Sequence, residues 1–296
     1  MENKKINISF VNYFPGYKYN PSLRTPDIFS RILPKTDYDI VVNYSQPDII
    51  ISDKKICPTK SKSIVKMFHT GENYRPNYNQ YDYSFAFDHS DDSRHVRVTS
   101  LSYYGLKRYV RNYETFNIDD ILKQKTKFCC FLVSNPGCFT RNRFFEKLSQ
   151  YKKVDSGGRY RNNIGRRIIH NTRWIKDYKF IITFENGSYP GYCTEKIGTG
   201  FKAHTIPIYW GDSTVNKTFN EKSFINCHDY SDFDKTIEQV IELDNNDEKY
   251  KQMLIETCLI DNKIPSELSD KHYINRFNTI LKEISCKRNL SGNPIR

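Results

Sequence analysis

The stretch from Phe180 to Gly211, FIITFENGSYPGYCTEKIGTGFKAHTIPIYWG, limits the possible folds of this 296-residue chain more than any other. Phe180, Ile181, Ile182 and Phe184 form an apolar run with β-branched members. It is closed by Glu185-Asn186-Gly187-Ser188, as suits a strand buried on both faces. Thr194 is placed to cap a helix starting at Glu195, and 205–210 reads as a second buried strand that contains Pro207 and ends at Gly211. Strand, helix, strand is the repeating unit of a parallel sheet. Ligands of such sheets sit beyond the carboxyl ends of the strands, where Glu185, Asn186, Tyr192, Glu195 and Lys196 fall. A helix start carries unpaired N–H groups and a partial positive charge, so Lys196 in its first turn calls for an anion, and a phosphate would serve.

The rest of the chain fits the same architecture. In the N-terminal part, 6–10, 38–43, 48–52, 63–68 and 83–87 read as short strands, with helices at 27–33 and, less regularly, 103–109. The pattern loosens near 117–124 before a new buried strand at 127–134 (KFCCFLVS). This places a boundary near residue 120, with domains over 1–120 and 121–265 and a C-terminal helix and tail over 266–296 free to pack back on the first domain. One large α/β domain is the alternative. Beyond the boundary follow a helix at 140–151, a basic loop, the unit described above, a strand at 224–227 and helices at 232–243 and 247–258. A last amphipathic helix carries Tyr273, Ile274, Phe277, Ile280, Leu281 and Ile284 on one stripe.

Charge narrows the function classes. The formal net charge is +12, and between Arg141 and Lys176 eleven Lys or Arg stand against two acids, just upstream of the opening segment. Most of these suit a solvated face, while an anionic substrate, nucleic acid or acidic membrane are the sharper readings. Twenty-two Tyr and nineteen Phe, interleaved with Lys, Asn and Arg, fit sugar-stacking or nucleotide-stacking surfaces. The eight cysteines show no C-x-x-C pair or metal-ligand spacing and read as reduced thiols. Neither a signal peptide nor a run of about 18 apolar residues is found, so no transmembrane segment and a cytoplasmic location are expected.

Two D-x-D pairs, Asp37-Tyr38-Asp39 and Asp232-Phe233-Asp234, have the spacing of a metal-diphosphate site. Ser231 with Asp234 also matches a helix-capping pattern, and Asp37 and Asp39 flank a strand start, so no metal site is assigned. In His69-Thr70-Gly71-Glu72-Asn73 a glycine and a carboxylate follow a buried strand, where Glu72 is either a solvent-facing loop residue or a general base.

Several segments together carry a family resemblance. Phe184-Glu185-Asn186, Tyr192-Cys193-Thr194-Glu195-Lys196, His204 through Gly211, and Phe219-Asn220 through Ser223-Phe224-Ile225-Asn226 resemble the donor-binding signature of the α-1,3/4-fucosyltransferases, glycosyltransferase family 10. The soluble bacterial members are the most similar. Ser134-Asn135-Pro136 with Arg141-Asn142, and the loop from Gly157-Gly158 to Gly165, match in order and spacing. The resemblance covers roughly 125–258, and upstream it is confined to Thr70-Gly71-Glu72-Asn73.

This resemblance implies an α/β GT-B fold of two Rossmann-like domains facing across a cleft. It implies an N-terminal acceptor domain, a C-terminal domain for GDP-β-L-fucose, and inversion at the anomeric carbon. Arg141 and Lys196 would contact the GDP phosphates, Tyr192, Glu195 and Asn186 would line the donor pocket, and Glu72 would take the acceptor proton. Glu195 would also stabilise charge developing on the fucosyl ring. The default acceptor is N-acetyllactosamine, with transfer to O3 of GlcNAc; α-1,4 transfer or another glycan stays open. No cofactor is required, and a divalent cation is at most stimulatory.

The chain departs from the family pattern at Gly198 and Gly200, which cost about 0.8–1 kcal/mol each relative to Ala and favour a short or mobile helix. Cys193 stands where a plain apolar residue is usual. Up to Arg296 there is no heptad repeat or basic amphipathic tail, so repeat-driven dimerisation is not expected, and the oligomeric state is left open. The competing classes are a related glycosyltransferase with another nucleotide sugar and a basic, aromatic-rich nucleic-acid-binding protein. The latter lacks any RRM, KH or helix-turn-helix pattern.

Overall fold

Every strand among the described residues belongs to one of two all-parallel sheets, one in each of two units. The computed structural model describes residues 5–11, 28–62, 64–168 and 172–290. Residues Asp27 and Ser63, expected to start a helix and a strand, and the tail 291–296 lie outside them. One unit comprises Met1–Leu106 with Pro265–Arg296, the other Lys107–Ile264.

In the first unit the strands are β1 (Lys5–Phe10), β2 (Asp39–Val42), β3 (Ile49–Ser52), β4 (Val65–His69), β5 (Tyr83–Ala86) and β6 (His95–Arg97), in the order β2-β1-β3-β4-β5-β6. Covered on both faces, inner strands such as Ile49-Ile50-Ile51-Ser52 are buried at every position and read as continuous runs rather than alternations. Helices α1 (Ile28–Ile32) and α2 (Ser100–Tyr104) and the C-terminal helix Asp270–Leu290 complete the unit. Phe29 on α1 centres the core, its ring 5.8 Å from Phe10, 5.0 Å from His69, 5.6 Å from Phe85 and 6.2 Å from Phe277 of the C-terminal helix. That helix buries Tyr273, Phe277, Ile280, Leu281 and Ile284 as its periodicity predicts. Ser285 completes the buried stripe in place of the half-buried Ile274, its hydroxyl returned to the Leu281 carbonyl.

In chain order the second unit contains α3 (Ile118–Gln124), β7 (Lys127–Phe131), α4 (Phe139–Tyr151), β8 (Val154–Ser156), α5 (Thr172–Ile175), β9 (Tyr178–Ile182), α6 (Glu195–Lys202), β10 (Ile206–Tyr209), β11 (Ile225–Asn226), α7 (Phe233–Asn245) and α8 (Asp247–Ile255). The strand order is β11-β10-β9-β7-β8, with Ile206, Pro207 and Ile208 opposite Phe180, Ile181 and Ile182. Pro207 is tolerated inside the sheet because Ile208 turns its carbonyl to β9, accepting from Thr183. Pro207 therefore faces the β11 side, where pairing begins only at Ile208.

Some sequence expectations need correction. The division falls after Leu106, not near residue 120, because residues 107–117 are fastened to the second unit. The Arg111 N–H donates to Asn262 Oδ1 at 2.7 Å, and its guanidinium donates to the carbonyls of Ile255 and Glu256 and stacks on Phe116. Strand β8 lies inside what reads as a basic loop, since Val-Asp-Ser has a single apolar residue to signal it. Helix α3 is unread because it is only seven residues long: its short stripe, Ile118, Ile121 and Leu122, packs on the core of this unit without becoming fully buried. The helix expected at 103–109 is α2, three residues earlier and followed by a 3-10 turn. Among the described residues no helix is long and apolar enough to cross a membrane.

Candidate active site

The carboxyl ends of β7, β9 and β10 gather the polar residues of the opening segment. Phe184, Glu185 and Asn186 leave β9, and the loop that follows leads into α6. Glu185 is fully buried. Its Oε1 accepts the Thr194 N–H at 2.7 Å, while Oε2 accepts the Thr194 hydroxyl at 2.7 Å and the Lys196 ammonium at 2.9 Å. Burial pushes the Glu185 pKa up, against the pull of Lys196 and the two Thr194 bonds. For Lys196, burial pulls the pKa down, but the Glu185 and Glu195 carboxylates outweigh it, so the ammonium stands above its ordinary value.

This arrangement corrects one expectation. The head of α6 already has an anion, the internal carboxylate of Glu185, so Lys196 needs no external one to be stabilised. Thr194 occupies the N-cap position without capping by its side chain: its hydroxyl donates to Glu185 and accepts the Lys196 ammonium at 2.8 Å instead of a backbone N–H. The sequence places Glu185 at the carboxyl end of the strand but assigns it no role. An acid directly after a buried apolar strand, needing a partner if it is buried too, was the available signal.

Arg141, on the first turn of α4, is 1 % exposed. Its Nη1 donates to Asn186 Oδ1 at 2.8 Å and, more weakly, to the Phe184 carbonyl at 3.4 Å, and Nη2 donates to the Asn135 carbonyl at 2.8 Å. Its Nε has no partner. Burial pulls its pKa down, yet a guanidinium keeps its proton across the physiological range. A buried cation held by neutral acceptors, at the carboxyl edge of a parallel sheet, suits a phosphate.

The remaining candidates differ in setting. Asn186 is exposed and joined to Arg141. Glu195 opens α6 with its side chain 44 % exposed and its carboxylate 4.0 Å from the Lys196 ammonium. Tyr192 is buried rather than displayed, its carbonyl accepting the Tyr209 hydroxyl at 3.5 Å. The loop before it is pinned by Asp212, whose Oδ1 accepts the N–H of Gly191 at 2.6 Å and both the N–H and hydroxyl of Thr214. These contacts make two groups, Arg141 with Asn186 and Lys196 with Glu185 and Glu195, joined along the chain at Glu185-Asn186.

One of the two glycines of α6, Gly200, gains a reason. A Cβ on Gly200 would meet Pro207 Cγ at 2.9 Å and Ile181 Cγ2 at 3.0 Å, so the helix needs glycine there to lie close on β9 and β10. Gly158 is stricter still, with a Cβ 1.9 Å from the Val133 carbonyl oxygen where the loop after β8 passes the end of β7.

The D-x-D pairs act structurally. Asp232, rather than Ser231, is the N-cap of α7, accepting the Lys235 N–H at 2.9 Å, and Asp234 pairs with Lys147 at 2.7 Å. Asp37 accepts from the Asn278 amide at 2.9 Å. In the basic stretch, Lys147, Lys152, Lys153 and Arg161 are ion-paired on the surface, as the solvated-face reading expects.

In the first unit, Glu72 sits on the loop after β4 and is exposed. Its N–H donates to Thr70 Oγ1 at 3.0 Å and its carbonyl accepts the Tyr74 N–H at 2.7 Å, so the backbone on both sides is held. His69, just before, is fully buried, bonded to the Phe85 carbonyl at 2.7 Å.

Residues 122–255 match the family model described as glycosyltransferase family 10 (fucosyltransferase) C-term, and residues 8–104 match that of the alpha-(1,3)-fucosyltransferase FucT N-terminal domain. An alpha-(1,3)-fucosyltransferase FucT of Helicobacter pylori is 34 % identical over 252 residues, covering 73 % of this chain and 53 % of that protein. The human 4-galactosyl-N-acetylglucosaminide 3-alpha-L-fucosyltransferase FUT6 is 29 % identical over 133 residues, covering 44 % of this chain and 36 % of that protein. The chain therefore spans about half the length of the first of these relatives and less of the second. A crystal structure of an alpha1,3-fucosyltransferase with GDP-fucose superposes with a TM-score of 0.78 at 28 % identity, covering 95 % of this chain and 92 % of that one.

Proposed function

The chain belongs to glycosyltransferase family 10, and from that premise we propose that it is an inverting α-1,3-fucosyltransferase. It moves L-fucose from GDP-β-L-fucose to O3 of GlcNAc in an N-acetyllactosamine-type acceptor. The single observation that carries the donor half is Arg141, a buried guanidinium in no ion pair among the described residues, set beside the head of α6. In this reading Arg141 and Lys196 take the diphosphate, with Asn186, Tyr192 and Glu195 around the nucleotide sugar. Glu72 takes the acceptor proton as O3 attacks C1 of fucose, and GDP leaves with the electrons of the broken C1–O bond. Attack opposite the leaving group turns the β donor into an α product. Arg141 and Lys196 stabilise the charge on departing GDP, so no divalent cation is required.

The deciding experiment is incubation with GDP-fucose and an acceptor panel that includes N-acetyllactosamine, with and without EDTA, followed by linkage analysis. An α-1,3 product formed in EDTA is expected. An O4 linkage would replace the acceptor geometry, turnover of another nucleotide sugar would replace the donor, and no turnover of GDP-fucose with any acceptor would overturn the proposal.

A further inference from the structure

Two neighbouring strands of the first unit end in loops at the same edge of the sheet. Strand β3 runs into Asp53-Lys54-Lys55-Ile56, and its parallel partner β4 runs into Thr70-Gly71-Glu72-Asn73-Tyr74-Arg75. Each loop displays a large apolar side chain. Ile56 is 75 % exposed and Tyr74 is 44 % exposed. The Lys55 ammonium lies 5.0 Å from the centre of the Tyr74 ring, within cation–π range, so the two loops meet at that ring.

The second loop is displayed but held. Arg75 Nε pairs with Asp88 Oδ1 at 2.6 Å, its Nη2 donates to Asn73 Oδ1 at 2.8 Å and its Nη1 to the Tyr74 carbonyl at 3.2 Å. The Tyr74 N–H donates to the Glu72 carbonyl, completing a tight turn between them. The first loop is tied by the Tyr81 hydroxyl, which donates to the Lys54 carbonyl at 2.6 Å. An exposed ring on a fixed backbone, with an ammonium over it and an exposed carboxylate two residues away in the same held turn, has the chemistry of a saccharide platform. The C–H face of a pyranose lies on the ring while its hydroxyls bond the charged groups. A single exposed aromatic needs no explanation, but one clamped two residues from a displayed carboxylate at the carboxyl edge of a parallel sheet does.

We infer that Tyr74 is the stacking platform of a saccharide-binding subsite, formed with Lys55 and Glu72, that seats the acceptor sugar. The acceptor role rests on the fucosyltransferase reading, whereas saccharide binding at Tyr74 does not.

The test compares wild type with Tyr74→Phe and Tyr74→Ala. Saturation-transfer NMR with N-acetyllactosamine and lactose, run with GDP present, reads binding without requiring turnover, and steady-state kinetics with GDP-fucose read KM and kcat separately. Tyr74→Ala is expected to abolish the saturation-transfer signal and raise the KM for N-acetyllactosamine about tenfold or more, an energy of about 1.4 kcal/mol. The KM for GDP-fucose and its slow hydrolysis by water should stay unchanged, and Tyr74→Phe, which keeps the ring face, should stay within about threefold of wild type. The proposal is overturned if wild type gives no saccharide signal, if Tyr74→Ala keeps it, or if Tyr74→Phe is as damaging as Tyr74→Ala. Saccharide signal without use of GDP-fucose would support the subsite while rejecting the fucosyltransferase reading.

Discussion

Glu185 has room for its side chain because residue 211 has none: a Cβ on Gly211 would stand 2.4 Å from Glu185 Cγ and 2.8 Å from its Cβ. The Glu185 N–H meanwhile donates to the Trp210 carbonyl, so the two segments cannot simply move apart. Gly211→Ala is therefore expected to displace the carboxylate that holds Thr194 and Lys196. Overpacking of this kind costs about 1–3 kcal/mol, and Tm should fall by several degrees along with GDP affinity. Calorimetric unfolding and GDP titration check both; unchanged values for both would refute the seat.

Gly200→Ala sets helix propensity against packing. Alanine gains up to about 1 kcal/mol in an isolated helix. Here the new methyl meets the Pro207 ring, Ile181 and the Thr205 carbonyl at 2.9–3.1 Å, and two of these are held in paired strands. Packing should win, giving net destabilisation by urea unfolding. A stabilised variant would mean that α6 can slide outward at no cost.

How much of this was legible in the sequence depends on where each signal lies. The Phe180 to Gly211 unit was readable because its strands are apolar runs and its turns are polar, so local pattern and tertiary role agree. From the sequence Lys196 reads as a cation awaiting a phosphate because its partner lies eleven residues upstream, across a turn whose path no local rule gives. Gly200 looked like a defect for the same reason: the contact that requires it is with Pro207 on the next strand. Strand β8 and helix α3 escape the sequence reading because both are short: β8 has one apolar residue, and the stripe of α3 spans little more than one turn. Glu72 could be placed at a strand end, but the clamp that Arg75 and Asp88 apply to its loop is tertiary and left no mark.

Arg141→Lys should lose more than a conservative exchange would suggest. A lysine supplies one point charge where the guanidinium serves Asn186, Phe184 and Asn135 from two nitrogens, so acceptors lose their partner, the buried Phe184 carbonyl among them. GDP affinity is expected to fall at least tenfold by isothermal titration, with a measurable loss of stability. Retained affinity would remove Arg141 from the diphosphate site.

Glu72→Gln separates chemistry from binding. The side chain is exposed and its loop is fastened through backbone groups and Arg75, so the amide should fold as wild type does. General-base catalysis contributes about 10² to 10⁴ in rate, and kcat should fall by that order while the dissociation constant for GDP stays the same. A variant that still transfers fucose at near wild-type rate would assign the base elsewhere, and weakened GDP binding would place Glu72 on the donor.

Lys125 offers a test of the second unit that is independent of catalysis. It is 9 % exposed, and its ammonium donates to the carbonyls of Lys176 and Ala203 and to the Thr205 hydroxyl, at 2.7, 3.2 and 3.0 Å. Burial pulls its pKa down to about 7. An unfolded lysine titrates near about 10.4. Between those values the unfolded chain binds a proton that the folded one does not, so stability rises with pH across the window, by up to about 1.4 kcal/mol per unit. Below about pH 7 both states are protonated and the dependence vanishes. Lys125→Met should remove that slope whatever it does to absolute stability, because the lost hydrogen bonds shift the curve without tilting it. Urea unfolding of both proteins at pH 7, 8 and 9 reads the difference, in which the other groups titrating over this range cancel. Parallel curves would mean that Lys125 stays charged in the folded chain.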